Sequence, residues 1–101
     1  MLAKTPTPPY YMVVFTSLLN ENIEGYHKMA DQMIALAAEQ EGFLGVDSVR
    51  GEVGITVSYW NDLESIKKWG NHAEHRVAKS LGKSSWYAEH ITRIAKVERE
   101  Y

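Results

Sequence analysis

The stretch Tyr10 to Ser17, YYMVVFTS, constrains the fold more than any other part of the chain. Its aromatic and branched residues predict a strand. Both alternating faces are apolar: Tyr11, Val13 and Phe15 on one side, Tyr10, Met12 and Val14 on the other. A strand from an antiparallel sheet with one wet face carries polar residues at every second position. Something must therefore cover each face of the sheet that this strand joins.

The rest of the chain supplies partners for it. Asn20 to Gln40 predicts a helix, with Asn20 or Asn22 as its cap and Glu21 and Glu24 in the first turn. Ile23, Tyr26, Ala30, Met33, Ile34 and Ala37 form its apolar stripe, widened on one flank by Met29 and Leu36, and Gly42 ends it. Phe43 to Arg50 and Val53 to Trp60 read as strands joined by a hairpin at Gly51-Glu52. In the second of these, Ile55, Val57 and Tyr59 alternate with Thr56, Ser58 and Trp60. A second helical region runs from Asp62 to about Ser84, capped by Asn61 or Asp62, with a break expected at Gly70-Asn71. Trp86 to Arg99 closes the series as a long strand. Residues 1–9 hold all three prolines and are expected to form a flexible arm, leaving 10–101 as the folded domain.

The order β-α-β-β-α-β predicts an α+β, ferredoxin-like protomer: a four-stranded antiparallel sheet with both helices on one face. The other face is left bare and apolar. Exposed apolar surfaces of that size mark interfaces, so the expectation is a homodimer with two sheets packed face to face.

Composition narrows the function classes. A net charge of -2 offers no basic face for nucleic acid. The absence of cysteine excludes disulfides, thiolate nucleophiles and thiolate metal sites. The N-terminus has no apolar signal region, and no apolar run approaches the roughly 18 residues of a membrane span. A cytoplasmic location without membrane contact is expected. No phosphate loop, dinucleotide fingerprint or Ser/His/Asp signature is present.

The segments EGFLGVDSVR, GITVSYWNDLESIKKWGNHAEH and WYAEHITRIAKVEREY together resemble the antibiotic biosynthesis monooxygenase family. The resemblance spans Tyr10 to Tyr101 and implies a dimeric α+β barrel built from ferredoxin-like protomers. It also implies oxygen chemistry, either cofactor-independent oxidation of small aromatics or haem degradation. The haem-degrading branch uses a first-strand asparagine, a tryptophan in the second helical region and a histidine about three turns on. Trp69 matches the tryptophan, whereas the asparagine and histidine positions fall near Phe15 and near Lys79. Haem is thereby disfavoured and no cofactor is expected.

The side chains able to carry chemistry cluster in the second helical region. His72 and His75 are helix neighbours. They read either as capping and solvated side chains, which helix phase favours, or as a proton acceptor in a pocket, which a break at Gly70-Asn71 would permit. A metal site with Glu74 lacks the explicit spacing such sites show. Trp69 shares the stripe of Leu63 and Ile66, so it packs in the core or stacks on a flat ligand. Tyr11, Tyr59 and Tyr87 carry hydroxyls that can meet a phenol, and Asn71 and Ser58 offer neutral donors to a phenolate. His27, His90, Trp60 and Trp86 read as structural or exposed. The functional expectation is a cofactor-independent monooxygenase acting on a quinol-type aromatic and O2, through His72, His75, Trp69, Tyr59 and Asn71. The alternatives are a haem-binding or haem-degrading protein and a non-catalytic dimeric binder of small molecules.

Overall fold

Six elements follow in the expected order: β1 (Tyr10–Leu19), α1 (Tyr26–Ala38), β2 (Phe43–Arg50), β3 (Gly54–Trp60), α2 (Leu63–Leu81) and β4 (Tyr87–Val97). The computed structural model describes residues 2–81 and 86–101, and within α2 it excludes the side chains of His75 and residues 77–81. The strands form one antiparallel sheet in the order β2-β3-β1-β4, so the doubly apolar β1 lies inside it. This is the ferredoxin-like α+β architecture read from the sequence.

The pairing register divides the residues between two faces. Tyr11 lies opposite Trp60, Val13 opposite Ser58 and Ser17 opposite Gly54. Tyr11, Val13 and Trp60 pack with Ala37 and Ile66 of the helices, which identifies the helix side. Two bulges adjust this pattern. Phe43 faces Trp60 and Gly45 faces Tyr59, so Leu44 is the extra residue in β2. Leu18 faces Glu89 and Leu19 faces Tyr87, which makes Ala88 the extra residue in β4. One inserted residue reverses the face of everything beyond it. The bulges thereby turn Phe43 and Tyr87 onto the helix side.

The core forms around those two turned aromatics. At one end, fully buried Trp60 meets Phe43 edge-on at 5.4 Å and packs with Ala37 and Ile66. Its indole N–H donates to the Ser58 hydroxyl at 2.9 Å, which satisfies both buried polar groups. At the other end Tyr26, Met29 and Trp86 are buried, with Leu19, Ile23, Met33 and Tyr87 against them. The Trp86 indole N–H donates to the Glu24 carbonyl at 2.8 Å and ties β4 to the approach of α1.

The helices differ from the sequence reading in their limits. α1 begins at Tyr26 rather than Asn20, after Gly25 with φ 84° and no side-chain cap. Asn22 accepts instead from the Glu24 N–H at 3.2 Å, a local turn that competes with helix. Met29 is buried while Ile34 is 37% exposed, so the buried stripe is shifted from the expected one. α1 stops at Ala38, and Gly42, with φ 87°, turns the chain into β2 beside Ser65. α2 passes through Gly70-Asn71 without the expected break. Its start is as read: Asp62 accepts from the Ser65 N–H at 2.7 Å, and that contact holds its carboxyl below the usual range. Ser84 lies outside the described residues.

Residues 2–9 lie against the opposite side of the sheet. The Ala3 N–H donates to Asp47 at 2.7 Å, and Thr5 lies 2.9 Å from the Tyr10 hydroxyl and 3.1 Å from the Glu100 carboxylate. Tyr10 donates to that carboxylate at 3.0 Å. Elsewhere this face carries Leu18, Val49, Ile55 and Ile91 at 37%, 67%, 39% and 43% exposure. Among the described residues no helix is long and apolar enough to cross a membrane.

Among the described residues Trp60 is the largest wholly buried side chain. Trp60→Ala should therefore cost about 3–5 kcal/mol of unfolding free energy, measured by urea denaturation. A loss below about 1 kcal/mol would show that the core does not depend on this indole.

Candidate functional site

α1 and α2 lie over β2 and β3, and the helix side of β4 stays open. His90 and Thr92 are exposed there and Ile94 is 55% exposed. In register beside them on β1 stand Ser17, Phe15 and Val13. These residues floor a groove whose two ends differ in chemistry. From Gly54 to Trp60 the strand runs about 20 Å, which sets the distance between the ends.

α2 builds the first end. Trp69 is half-buried and stacks on Trp60, with centroids 5.9 Å apart and planes at 24°. One turn on, exposed His72 stands edge-on to Trp69 at 6.3 Å. This is the arrangement helix spacing dictates for residues three apart. Asn71 is exposed beside them. The His75 side chain lies outside the described residues. Ser58 is buried and its hydroxyl is taken up by Trp60.

Tyr59 is not part of this group. Alternation puts it on the opposite side from Trp60, where its hydroxyl donates to Asp47 at 2.9 Å and its ring meets Tyr10 edge-on at 5.9 Å. Burial, and after it the hydrogen bond to the Asp47 carboxylate, pushes the phenol up to about 12. Two depressions of about 210 and 340 Å³ also open toward this other face, along Leu18 and Ile91 and along Val49, Ile55 and Val57.

The second end was not singled out from sequence. Arg50, the last residue of β2, lies opposite Gly54, which lies opposite Ser17, which lies opposite His90. With no side chain at Gly54, the Arg50 guanidinium folds across that glycine and occupies the place of a Cβ. It donates to the Ser17 carbonyl at 3.1 Å, to the Ser17 hydroxyl, and to the Tyr26 hydroxyl at 3.3 Å. Its carbon stands 5.6 Å over the Tyr26 ring. Phe15 meets Tyr87 edge-on at 5.2 Å and lies 5.7 Å from His90, which is also 5.7 Å from Tyr87. Burial, then the neighbouring Tyr26 phenol, raises Tyr87 well above the ordinary tyrosine range, so its hydroxyl stays protonated. The legible signal was an arginine on the core side of a strand opposite a glycine. Among the described residues no three acidic or histidine side chains converge as a metal site.

The model of a family described as Monooxygenase af470-like matches residues 13–96. An uncharacterized protein of Bacillus subtilis (strain 168), YqjZ, is 52% identical over 101 residues, covering 98% of this chain and 89% of its own. Among solved structures, a point variant of SnoaB, a cofactor-independent oxygenase from Streptomyces nogalater, aligns with a TM-score of 0.73 at 9% identity, over 90% of this chain and 95% of its own. A variant of MhuD with two manganese protoporphyrin IX bound per active site aligns with a TM-score of 0.67 at 16% identity, over 90% and 97%. The structural likenesses, at such low identity, speak for the fold alone. The family resemblance read from the sequence is met, since the matches are of antibiotic biosynthesis monooxygenase type.

The tyrosine environments predict a pH response. Tyr59 has an unfolded value near 10.0 and a folded one of about 12, so its contribution to stability is intact below about pH 10 and is lost as pH rises toward 12. Tyr59→Phe should flatten the fall in unfolding free energy over that window and remove one late step from the ultraviolet titration of tyrosinate. Loss of a step near pH 10 instead would mean that Tyr59 is not held by Asp47.

Proposed function

The chain belongs to the Monooxygenase af470-like family, and on that premise we propose that it is a cofactor-independent monooxygenase for a small, flat, electron-rich aromatic. Family membership is the observation that carries this reading. The Trp69 and His72 end of the groove supplies side chains suited to it: a half-buried indole to stack on, an exposed imidazole beside it, and the Asn71 amide.

The reaction needs little from the protein. An anthrone-type substrate loses a ring-carbon proton to His72, with His75 one turn on as the alternative acceptor. The resulting anion gives one electron to O2, and the radical pair joins as a hydroperoxide once a proton returns. Loss of water then leaves a carbonyl, so one oxygen atom stays on the ring and the other departs with the two hydrogens. The substrate supplies every electron, so no further reductant enters. Asn71 donates to the phenolate oxygen, and stacking on Trp69 holds the ring in place. Tyr59 has no role in this scheme, because its hydroxyl serves Asp47 on the other side of the sheet.

Haem does not fit the residues at the positions the resemblance carries over. Phe15 there offers a ring packed against Tyr87 and no hydrogen-bonding group. We assign no step to it. The apolar outer face, with Ile55 and Val49 exposed, supports a homodimer through paired sheets.

Oxygen uptake with a panel of quinols and anthrones is the direct test. Turnover is expected, with His72→Ala lowering kcat/KM by about 100-fold or more. Full activity in that variant would remove His72 from the mechanism, and no uptake with any member of the panel would favour a binding protein. Titration with haemin should give no saturable Soret band; a histidine-dependent band that bleaches with ascorbate would replace this reading. Sedimentation should show a dimer that Ile55→Lys converts to monomer.

A further inference from the structure

The Arg50 end of the groove lies about 20 Å along the strands from Trp69 and plays no part in the oxidation scheme. We infer that it is a separate binding site for an aromatic carboxylic acid, with the carboxylate on the Arg50 guanidinium and the ring against Phe15, Tyr87 and His90.

The first support is an unbalanced cation. Arg50 is half-buried, and among the described residues its hydrogen-bond partners are the Ser17 carbonyl, the Ser17 hydroxyl and the Tyr26 phenol, none of them charged. A guanidinium withdrawn from water among neutral groups is costly unless an anion completes it. Among the described residues these contacts use three of the five N–H donors a guanidinium carries, and the Nε–H and one Nη1 N–H are left for a ligand.

The second support is that the arginine is held in place. Gly54 leaves the slot through which it crosses the sheet, and Ser17 and Tyr26 fix its plane at the far side. Both Nη2 hydrogens are taken by Ser17 and Tyr26, so a carboxylate oxygen is met by the Nε–H or the second Nη1 N–H singly, and a single cation suits a single negative charge.

The third support is the surrounding chemistry. The β4 bulge turns Tyr87 to the helix side, beside Phe15 and His90, so three rings gather within 5.7 Å of one another next to the cation. Phe15 and Tyr87 are half-buried and His90 is exposed, which leaves an entry from the open side of β4. Rings of this kind favour offset or edge contact with an aromatic ligand.

The test compares 2-naphthoate with its neutral isostere 2-naphthamide, by calorimetry and by NMR of the whole chain at low salt. Naphthoate should bind at least tenfold more tightly, shifting the Arg50 Nε–H and the His90 ring while leaving the Trp69 indole unchanged. Arg50→Gln should abolish the preference. Gly54→Ala, which keeps the charge but fills the slot, should weaken it, and this variant decides the matter if Arg50→Gln does not fold. Equal affinity for the two probes in the unmodified protein, shifts centred on Trp69, or a preference retained in either folded variant would overturn the inference. Binding is read without turnover, so oxygen uptake with neutral quinols stands or falls separately.

Discussion

A sheet whose central strand is apolar on both faces governs this structure, because two helices can cover only one of them. β1 lies between β3 and β4, and of its ten residues Leu18 alone is exposed, the others being buried or half-buried. The helices take one side, and residues 2–9 take a corner of the other by way of Ala3, Thr5 and Asp47. What remains is Leu18, Val49, Ile55 and Ile91, an apolar surface with the character of an interface.

The cover on the helix side is itself incomplete, and that incompleteness creates the groove. With α1 and α2 over β2 and β3, the core condenses at the two ends rather than into one mass. Each end is anchored by an aromatic residue that a bulge has turned inward, Phe43 beneath Trp60 and Tyr87 beside Tyr26. Between them β4 offers Ile94 and His90 without a helix above. The same inserted residues that close the core therefore also shape what stands open beside it.

Two chemistries result from one floor. At the α2 end an indole pair and an imidazole make a surface for flat, electron-rich rings. At the β2 end a single cation is suspended over a glycine among phenols. Tyr59 illustrates how strictly the pleat decides membership. It is the neighbour of Trp60 in the chain, yet its hydroxyl belongs to the outer face and to Asp47.

Element order, strand pairing class and the Ile66 and Trp69 part of the α2 stripe were legible in the sequence, because period-2 and period-3.6 patterns record which face each residue buries, whereas Leu63, read into the same stripe, is 54% exposed. The cap at Asp62 was legible too, since a carboxylate just ahead of an apolar period has one favourable use. The start of α1 was not, because Asn22 closes a local turn that composition does not distinguish from a cap. The continuity of α2 across Gly70-Asn71 was missed because propensity is weak against tertiary packing. The sequence by itself determined that β1 is apolar on both faces and that Ile66 and Trp69 share a helix face, whereas the continuous α2 of the fold brought His72 beside Trp69. Only the tertiary structure decided that Arg50 meets Ser17 and Tyr26, and that Tyr87 faces inward. Those contacts depend on register and on single-residue bulges, which leave no periodic trace in a chain read one residue at a time.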